Sequence, residues 1–555
     1  MSSPTGAQAL IRTLLDAGVN TCFTNPGTSE MHFVAALDSV PDMYAVLTLF
    51  EGVATGAADG YARMAGKPAA TLLHLGCGLG NGLANLHNAR KGKVPVVNIV
   101  GDHATTHVQY DAQLQSDIET VARNVSTWVR TAQSIEALSR DAAEAVATAM
   151  GPPGNVATLI VPADVSWSEG AQPCAPQPAK PEPPVAPATI DAVADALRQR
   201  GRTAILLGRR ALREPALMAA ARIAGATGAR LLAEVFPARM ERGAGLPAPE
   251  RIAYFAELAS VQLAGLDHLI LVDAKAPVSF FAYPGKKSYL VPEGCRVTEL
   301  VSPAEEVVDT LEQLANRLGA SDAAAQKLLQ PPSQPDLPEG DFTADAVCQA
   351  IGALLPEHAI ISDEAQTSGV KLPAFTAGAP RHDLLTLTGG AIGQGLPVAI
   401  GAAIACPGRK VFALTGDGSA MYTIQSLWTM AREHLDIIAI VFNNRSYAIL
   451  NMELERTGAE QAGPVARAQL SLASPAIDFV TLGQSMGVHA VRAETCDQFV
   501  QALQDAIDSP GPHLIEAVVP SAFDGWKLKA MPHALNALKF LPGPVARAVK
   551  RRIAP

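Results

Sequence analysis

Short, unbroken runs of apolar residues recur along the chain and alternate with longer stretches of helical character. Nine such runs are AATLLHL, VPVVNIVG, VATLIVP, TAILLG, DHLILVDA, AIISDE, RKVFALTGD, LDIIAIVFNN and PHLIEAVV. Because the runs are apolar throughout rather than at every second position, both faces of each strand must be buried. Strands of this kind that alternate with helices are typical of parallel sheets covered on both sides. The sequence therefore predicts an α/β fold of doubly wound parallel sheets.

Two Pro-rich stretches divide the chain. Residues 168–189 and 330–341 contain too much proline and too few apolar residues to pack as helices or strands. A length of 555 residues suits about three domains of ~150 residues each. We therefore predict α/β domains at residues 1–167, 190–329 and 342–530, followed by a basic tail at 531–555. Pro542 and Pro544 would interrupt a long helix in that tail, so we expect a surface arm or lid.

Charge and cysteine content exclude several classes of protein. A net charge of -10 argues against a nucleic-acid surface. No apolar run reaches the ~18 residues that a membrane span needs, and no secretory signal opens the chain. The seven cysteines lie far apart without a C-x-x-C motif, which predicts reduced, mostly buried thiols. We expect a cytoplasmic enzyme of small molecules, with no nucleic-acid or membrane partner.

Polar residues follow two neighbouring apolar runs in the stretch LTGDGSAMYTIQSLWTMAREHLDIIAIVFNNRSYAIL. Asp417 ends the first run and Asn443–Asn444 ends the second, so that 27 residues separate Asp417 from Asn444. Parallel sheets bind ligands beyond the carboxyl ends of their strands. Carboxylate and amide oxygens suit Mg²⁺ or Ca²⁺, and Gly416 and Gly418 allow an anion to approach the backbone. Ordinary turns are the alternative for an isolated GDG, but the paired strand ends favour a metal and anion site.

The GDG motif followed after about 27 residues by NN resembles the cofactor motif of thiamine-diphosphate enzymes. The resemblance covers nearly the whole chain and is strongest to the group of benzoylformate decarboxylase, acetolactate synthase and pyruvate oxidase. It implies pyrimidine-binding, middle and diphosphate-binding domains, in that order. It also implies Mg²⁺ held by Asp417, the Asn444 side chain and the Ser446 carbonyl. The diphosphate would contact Ser419, Ala420 and Tyr447, through backbone or side chain.

A second matching stretch, LTLFEGVATGAADGYARMAGKP, places Glu51 at the start of a predicted helix. Taken alone, Glu51 would be a solvated acid that complements the helix dipole. The resemblance instead implies a buried carboxylate that hydrogen-bonds N1′ of the aminopyrimidine ring and promotes loss of the C2 proton of the thiazolium. In TLTGGAIGQGLPVAIGAA, the resemblance implies that the Gly390 carbonyl accepts from the 4′-amino group. Ile392 would support the bent cofactor, or would otherwise be a core residue.

One motif imitates a dinucleotide-binding fingerprint. The stretch LLHLGCGLGNGLANLHNA follows a predicted strand and opens a helix. The spacing of G-x-G-x-x-G fails, however, because counting from Gly76 ends at Asn81 and counting from Gly78 ends at Leu83. A nicotinamide-dependent dehydrogenase is therefore disfavoured.

Two residues match pocket positions of benzoylformate decarboxylase. His74 corresponds to a pocket histidine that could move protons to and from the substrate adduct, or it is an ordinary strand-end histidine. Thr28, in FTNPGTSE, corresponds to a pocket serine whose hydroxyl binds the substrate carboxylate. It could equally cap a helix that begins near Glu30.

The remaining pocket positions point to an apolar substrate. The His-His pair of pyruvate decarboxylases is absent, and Leu450 stands where those enzymes have an acid. A second pocket histidine should fall near Ala282, and it is absent as well. Acetolactate synthases have a glutamine at the border of the site, to which either Gln113 or Gln115 corresponds. The residues expected to line the pocket are Cys77, Phe281, Ile449 and Leu450.

The middle domain leaves open the question of a second cofactor. TAILLGRRAL places Gly208, Arg209 and Arg210 after a strand, where they could receive a nucleotide phosphate. Acetolactate synthases and pyruvate oxidases bind FAD in this domain, whereas benzoylformate decarboxylase does not. With no further FAD signature in a compact domain, we expect thiamine diphosphate and Mg²⁺ without FAD.

Three functional hypotheses follow. The first is a non-oxidative 2-oxo acid decarboxylase or carboligase, and the second is an acetolactate-synthase-type transferase that joins two 2-oxo acids, with FAD possible. The third is a catalytically silent cofactor-binding paralogue, which the presence of Glu51, Asp417 and Asn444 disfavours. In the family, the glutamate-bearing domain of one subunit faces the GDG-bearing domain of another. The resemblance therefore implies a homodimer or homotetramer with active sites at subunit interfaces.

Overall fold

All nine apolar runs form β-strands in the computed structural model of the chain. The structure describes residues 3–521 except 200, 458, 460 and 461, and a few isolated positions beyond 521. The strands belong to three sheets with helices on both faces, which confirms the predicted α/β fold class. Most of the basic tail at 531–555, including Pro542 and Pro544, lies outside the described residues.

The N-terminal domain is built on a six-stranded parallel sheet of order β2-β1-β3-β4-β6-β5. Its strands are β1 Thr21–Asn25, β2 Tyr44–Leu47, β3 Ala69–His74, β4 Val96–Asp102, β5 Trp128–Thr131 and β6 Val156–Pro162. Its helices are α1 Gly6–Asp16, α2 Met31–Ala36, α3 Glu51–Ala65, α4 Leu75–Gly92, α5 Ile118–Arg123, α6 Ile135–Met150 and α7 Ala163–Trp167. This order brings the carboxyl ends of β2, β1 and β3 side by side, where Glu51 and Thr28 follow β2 and β1 and His74 is the last residue of β3.

The middle domain follows a stretch without helix or strand from residue 171 to 186. Its strands are β7 Thr203–Leu207, β8 Arg230–Ala233, β9 Met240–Arg242, β10 Glu250–Arg251, β11 His268–Val272 and β12 Arg296–Val301. Its helices are α8 Pro187–Arg198, α9 Glu214–Thr227, α10 Ala256–Leu263, α11 Val308–Leu318 and α12 Asp322–Ala325. Five of the strands form a parallel sheet of order β10-β8-β7-β11-β12. Its strand order reverses direction between β7 and β11, which is where doubly wound sheets bind ligands.

The C-terminal domain carries the GDG and NN motifs. Its strands are β13 Ile360–Glu364, β14 His382–Thr386, β15 Val411–Gly416, β16 Ile437–Asn443, β17 His489–Ala493 and β18 His513–Val518. Its helices are α13 Ala344–Leu354, α14 Leu372–Phe375, α15 Gly395–Ala405, α16 Asp417–Ala420, α17 Ser426–Arg432, α18 Ala448–Arg456, α19 Pro464–Ala468, α20 Phe479–Ser485 and α21 Cys496–Asp508. The sheet order is β17-β18-β16-β15-β13-β14-β9.

One strand departs from the predicted all-parallel arrangement. β9 comes from the middle segment of the chain, yet it pairs antiparallel with β14 at the edge of the C-terminal sheet. An uncovered edge strand exposes unpaired backbone groups, and β9 covers that edge. The middle and C-terminal domains are therefore joined by a shared sheet as well as by the linker.

The N-terminal and C-terminal domains pack together through α3 and α15. Glycines make this close approach possible, because a Cβ atom at Gly401 would lie 1.9 Å from the carbonyl oxygen of Ala57. A buried ion pair joins Arg63 to Asp59 on α3 at 2.7 Å, and Gln394 donates to the same carboxylate at 2.5 Å. Both domains therefore hold α3, the helix that begins with Glu51, in a fixed position.

The free-thiol prediction is consistent with the structure, in which all seven cysteines are unpaired. Three of them are fully buried and Cys77 is exposed, so the thiols are less uniformly buried than expected. None of the helices in the described part of the chain has the length and hydropathy needed to cross a bilayer.

Candidate active site

The GDG and NN motifs lie at neighbouring strand ends, as their spacing predicts. β15 and β16 pair in parallel up to Gly416 and Phe442, so Asp417, directly after β15, and Asn443, the last residue of β16, lie at the same edge of the sheet. The connecting segment is two short helices, α16 and α17, rather than one. α16 begins at Asp417, and α18 begins at Ala448, four residues after Asn444.

The Asp417 carboxylate has one free oxygen. Its Oδ1 atom accepts from the backbone N–H of Gly418 at 2.8 Å, whereas Oδ2 is buried and has no hydrogen-bond partner. Burial raises the pKa of Asp417, and the N–H groups of Gly418 and of residues 444–446 oppose that rise only in part. A buried carboxylate oxygen without a partner is costly, and a bound cation would compensate it.

The two asparagines of the NN motif have different roles. Asn443 donates to Glu516 on β18 at 2.6 Å and so holds two strands together. Asn444 is half-buried, and its Oδ1 accepts from the backbone N–H of Ser446 at 3.0 Å across Arg445, whose φ is +57°. Together with Asp417, this turn supplies a carboxylate, an amide oxygen and main-chain carbonyls.

These hard oxygen donors fit Mg²⁺, which keeps few protein ligands and completes its shell with phosphate oxygens and water. No cluster of three or more His, Cys, Asp or Glu side chains suited to a metal occurs within the part of the chain that the structure describes. The Asp417 and Asn444 turn offers few protein ligands, so a metal held there would take its remaining ligands from a bound diphosphate and water. Asp417, Asn444 and the Ser446 carbonyl are the groups that would hold it.

The glycines of the GDG motif shape the space beside this turn. A Cβ atom at Gly416 would meet no other atom within 4 Å, so the backbone there faces open space. At Gly418, a Cβ atom would lie 2.3 Å from the Tyr447 ring, so only glycine fits. The Tyr447 N–H already donates to the Leu470 carbonyl at 3.0 Å, which leaves its hydroxyl for a diphosphate. The buried residues Ser419 and Ala420 follow in α16.

The loop that carries Gly390 and Ile392 is held by α4 of the N-terminal domain. Asn88 donates to the Ala391 carbonyl at 2.8 Å and accepts from the Ala391 N–H at 3.2 Å. Asn85 donates to the Gly393 carbonyl at 3.2 Å. Gly390 has a φ of +79°, and Ile392 is only half-buried, as a residue facing a ligand would be.

Glu364 is a residue of this loop's support that the sequence analysis did not single out. Its buried carboxylate accepts from the backbone N–H groups of Gly393, Gln394 and Gly395 at 2.7–3.0 Å. Burial raises the pKa of Glu364 to about 7, and these three N–H groups oppose the rise. Glu364 is the last residue of the AIISDE run, and an acid at the carboxyl end of a predicted strand could have marked it as a candidate.

Glu51 occupies the second half of the candidate site. It is the first residue of α3, and its side chain is buried rather than solvated. Asn81 donates to its Oε2 atom at 3.0 Å, and Gly78 lies against Oε1. The simple solvated-acid interpretation of Glu51 is therefore wrong, although its role toward the cofactor stays a prediction. Asn81, in the stretch that imitates a dinucleotide fingerprint, is a further residue that the sequence analysis missed.

His74 is paired with a buried acid that the sequence analysis did not single out. The Nδ1 atom of His74 lies 2.8 Å from Oε2 of Glu30, which also accepts from the Gly27 N–H at 2.7 Å. If Nδ1 carries the hydrogen, Nε2 is left to accept a proton. Thr28 is exposed beside this pair and is the first residue of a short 3-10 helix, while the cap position of α2 belongs to Glu30. The helix-cap alternative for Thr28 is therefore not supported.

Gly101 is needed for the Glu30–His74 pair. A Cβ atom at Gly101 would lie 1.7 Å from Oε1 of Glu30. We expect Gly101→Ala to displace this carboxylate and with it the imidazole, and to reduce turnover about 100-fold, since misplacement by ~1 Å can cost that much. Steady-state kinetics checks this, with retained cofactor binding as evidence of folding. Gly201→Ala, a remote turn position with room for a methyl group, is the control.

The remaining predicted pocket residues are partly brought together. Ser116 contacts Gly76 at the start of α4, and the adjacent Gln115 is half-buried with an unpartnered Oε1 atom. Gln113 is exposed, so the structure favours Gln115 of the two candidates. Cys77 is exposed in the first turn of α4. In the first turn of α18, Ile449 is half-buried and Leu450 is exposed.

The Glu51 and Asp417 carboxylates share no hydrogen-bond partner among the described residues. In the described residues, the Glu51 side chain hydrogen-bonds only Asn81 of its own domain. The Asp417 carboxylate is likewise bonded only within the C-terminal domain. Each half therefore has unused polar groups.

Comparisons with known proteins agree with this geometry. Residues 4–123 match the family model described as "Thiamine pyrophosphate enzyme, N-terminal TPP binding domain", and residues 365–517 match the corresponding C-terminal model. A Mycobacterium tuberculosis protein named "Putative acetolactate synthase large subunit IlvX" is 56% identical over 93% of this chain and 99% of its own length. Benzoylformate decarboxylase of Pseudomonas aeruginosa is 28% identical over 90% of this chain and 96% of its own length.

The fold also matches solved structures. The thiamine diphosphate-dependent 4-hydroxybenzoylformate decarboxylase of Rhodococcus jostii superposes with a TM-score of 0.81 at 24% identity, over 93% of this chain and 99% of that one. Two matched cofactor domains, a full-length relative at 56% identity and the paired GDG and NN strand ends therefore agree. The chain belongs to the thiamine-diphosphate-dependent enzymes.

Proposed function

We propose that the protein is a thiamine-diphosphate- and Mg²⁺-dependent, non-oxidative decarboxylase and carboligase of 2-oxo acids with an apolar, aromatic-sized side chain. Membership of the family supports chemistry on 2-oxo acids of the decarboxylase or acetolactate synthase type. The size and polarity of the substrate side chain are the further step.

The observation that carries this step is a group of aromatic rings against the cofactor loop. Phe280 of the middle domain lies so close to Gly390 that a Cβ atom there would be 2.4 Å from its ring. Phe281 packs edge-on against Phe280 with ring centroids 4.9 Å apart, and it is 55% exposed. Exposed aromatic rings beside a binding loop favour an apolar or aromatic ligand.

The chain's own residues would divide the work as follows. When bound, thiamine diphosphate supplies a nucleophilic carbon that adds to the 2-oxo group. Glu51 would hold a proton against the aminopyrimidine ring, and the Thr28 hydroxyl would bind the substrate carboxylate. His74, oriented through Nδ1 by Glu30, would move a proton at Nε2 to and from the substrate oxygen.

The second candidate is an acetolactate-synthase-type transferase, which the name of the 56% identical relative favours. The contacts in the crevice between β7 and β11 argue against an FAD-containing form of this transferase. There Asp273 accepts from both Arg209 and Arg210, and Arg210 also pairs with Glu182. Arginines already paired with carboxylates are poor phosphate ligands, so we favour the form without FAD.

One experiment separates the two candidates. The purified protein, supplied with thiamine diphosphate and Mg²⁺, is incubated with pyruvate, 2-oxobutyrate, phenylpyruvate and benzoylformate. Release of carbon dioxide with an aldehyde product, fastest for the aromatic acids, is the expected result. Exclusive conversion of pyruvate to acetolactate, or flavin absorption in the purified protein, would support the transferase instead.

We further propose that the active site is completed by a second copy of the chain, in a dimer or tetramer. Large apolar side chains are exposed beside both half-sites: Leu49 near Glu51, Tyr110 and Leu114 near Gln115, and Met421 and Tyr422 after α16. Exposed apolar groups of this size at a site commonly mark an interface. The unused polar groups of each half then face the other copy.

This assembly predicts complementation between inactive variants. Mixing Glu51→Gln protein with Asp417→Ala protein, followed by subunit exchange, should restore activity because some hybrid sites combine two intact halves. At random exchange, half of the dimers are hybrids with one intact site each, so roughly a quarter of parental activity is expected. A fully active monomer at assay concentration, shown by sedimentation, would contradict the interface site.

A further inference from the structure

A basic cavity lies between the N-terminal and middle domains, next to the carboxyl end of β7. Its volume is about 260 Å³, and its walls include the ends of α3 and α4, residues 152–154 and the segment that follows β7. Its charged lining residues are Arg63, Lys93, Glu182, Arg209, Arg210 and Arg213. We call it the interdomain cavity. It is lined by none of the residues assigned to the candidate active site.

Three of the five cations in this lining have carboxylate partners. The pairs are Arg63 with Asp59, Arg209 with Asp273, and Arg210 with Asp273 and Glu182. Lys93 and Arg213 form no ion pair with any of the described residues. The cavity therefore has an excess of two positive charges.

Arg213 is the more unusual of these two cations. Its Nη1 atom is buried and has no hydrogen-bond partner. Arg213 is the N-cap residue of α9, and the dipole at a helix N-terminus favours a negative charge rather than a positive one. Burial, followed by the nearby Arg239, lowers the pKa of Arg213 to about 9, and the carboxylates of Asp383 and Glu241, which are themselves paired with Arg239, oppose this shift. A buried, unpaired guanidinium at this position is unfavourable unless an anion compensates it.

Lys93 adds to the same positive field. It is the C-cap residue that follows α4, and cations at a helix C-terminus are ordinarily stabilised by the dipole. Its surroundings nevertheless oppose its charge, because burial and then Arg209 and Lys275 lower the pKa of Lys93. Lys93 belongs to the N-terminal domain and Arg213 to the middle domain. An anion between them would bridge the two domains.

We propose that the interdomain cavity binds a phosphate group, held by Lys93 and Arg213. A phosphate carries about -1.5 to -2 charges at neutral pH, which matches the two unpaired cations. Its oxygens accept charge-assisted hydrogen bonds of the kind that the free Nη1 atom can donate. The volume is below the ~300–1,000 Å³ of pockets for drug-sized ligands, so the ligand is inorganic phosphate or a small phosphate monoester.

Thermal unfolding and calorimetric titration of the full-length protein test this proposal. Inorganic phosphate and ribose 5-phosphate are each compared with sodium chloride at equal ionic strength. We expect phosphate compounds to raise the midpoint of unfolding, since a ligand that binds only the folded state stabilises it. Tighter binding of ribose 5-phosphate would identify a monoester site, and tighter binding of inorganic phosphate a free-anion site. No stabilisation by either compound beyond the chloride control overturns the proposal.

Substitution of the two cations locates the effect. Arg213→Gln should weaken phosphate binding at least about tenfold, through loss of a charge-assisted hydrogen bond. Without phosphate, this variant should unfold at the same temperature as the parent or higher, because an unpaired buried charge is gone. Lys93→Gln is the second variant, in case Arg213→Gln does not fold. Lys287→Gln removes an 81% exposed cation of the middle domain and should keep the full response. An undiminished response in both cavity variants would contradict the site.

Discussion

Asp417→Ala protein is expected to lose thiamine diphosphate during gel filtration while remaining folded. Asp417 is the charged group of the proposed Mg²⁺ site, and its Oδ2 atom has no other partner in the structure. Loss of a supporting group outside the metal shell typically costs about 10- to 100-fold in metal affinity, and loss of a charged ligand should cost more. Because the metal held by Asp417 would complete its shell with diphosphate oxygens, both affinities should fall together. Titration of each, in the presence and absence of the other, measures the effect.

A matched control exists in the same sheet. Asp436 immediately precedes β16, at the opposite end from Asn444, and pairs with Lys410 at 2.6 Å. Asp436→Ala removes the same charge from the same domain and should keep cofactor binding. If Asp417→Ala protein retained the cofactor as tightly as the parent, the proposed metal site would be wrong.

The same site predicts how metal binding depends on pH. A carboxylate must be ionised to bind Mg²⁺, and burial raises the pKa of Asp417 in the metal-free protein. In the protein without metal, burial favours the protonated form of Asp417. This contribution to folding stability is present at low pH and is lost as the pH rises through the raised pKa. With metal, the sign reverses, because Mg²⁺ binds the ionised form. Mg²⁺ affinity should therefore fall as pH decreases through the raised pKa of Asp417.

The strand pattern and the placement of the GDG and NN motifs at strand ends could be predicted because each depends on local sequence. An apolar run buried on both faces forms a strand of a covered sheet, and a polar residue at its carboxyl end lies at the ligand-binding edge. Asp417 and Asn444 satisfy both conditions on consecutive strands.

The supporting residues could not be predicted, because their partners are distant in sequence. Glu30 meets His74 only because β1 and β3 are adjacent in the sheet. Asn88 holds a loop about 300 residues further along the chain, through the packing of two domains. The antiparallel pairing of β9 with another domain's sheet has the same origin. A single sequence contains no periodicity that reports such contacts.

Glu51→Gln is expected to reduce turnover by ~100- to 10,000-fold, the usual contribution of a general acid–base group. That range corresponds to roughly 3–5 kcal/mol of activation barrier. Glutamine keeps the size of the side chain. Its amide oxygen can still accept the hydrogen bond that Asn81 donates to Oε2 of Glu51 at 3.0 Å. It cannot exchange a proton with the aminopyrimidine ring. Cofactor affinity and KM should therefore change little while kcat falls.

The readout that separates this role from a structural one is hydrogen–deuterium exchange at C2 of the bound cofactor. Exchange should be slow in Glu51→Gln protein even when binding is saturated, because the missing carboxylate acts before any substrate arrives. Glu136→Gln is the matched control, since Glu136 is an exposed acid in the first turn of α6 and should leave exchange unchanged. Parental exchange rates in Glu51→Gln protein would mean that Glu51, like Glu136, only complements a helix dipole. The burial of Glu51 against Gly78 and Asn81 would then need another explanation.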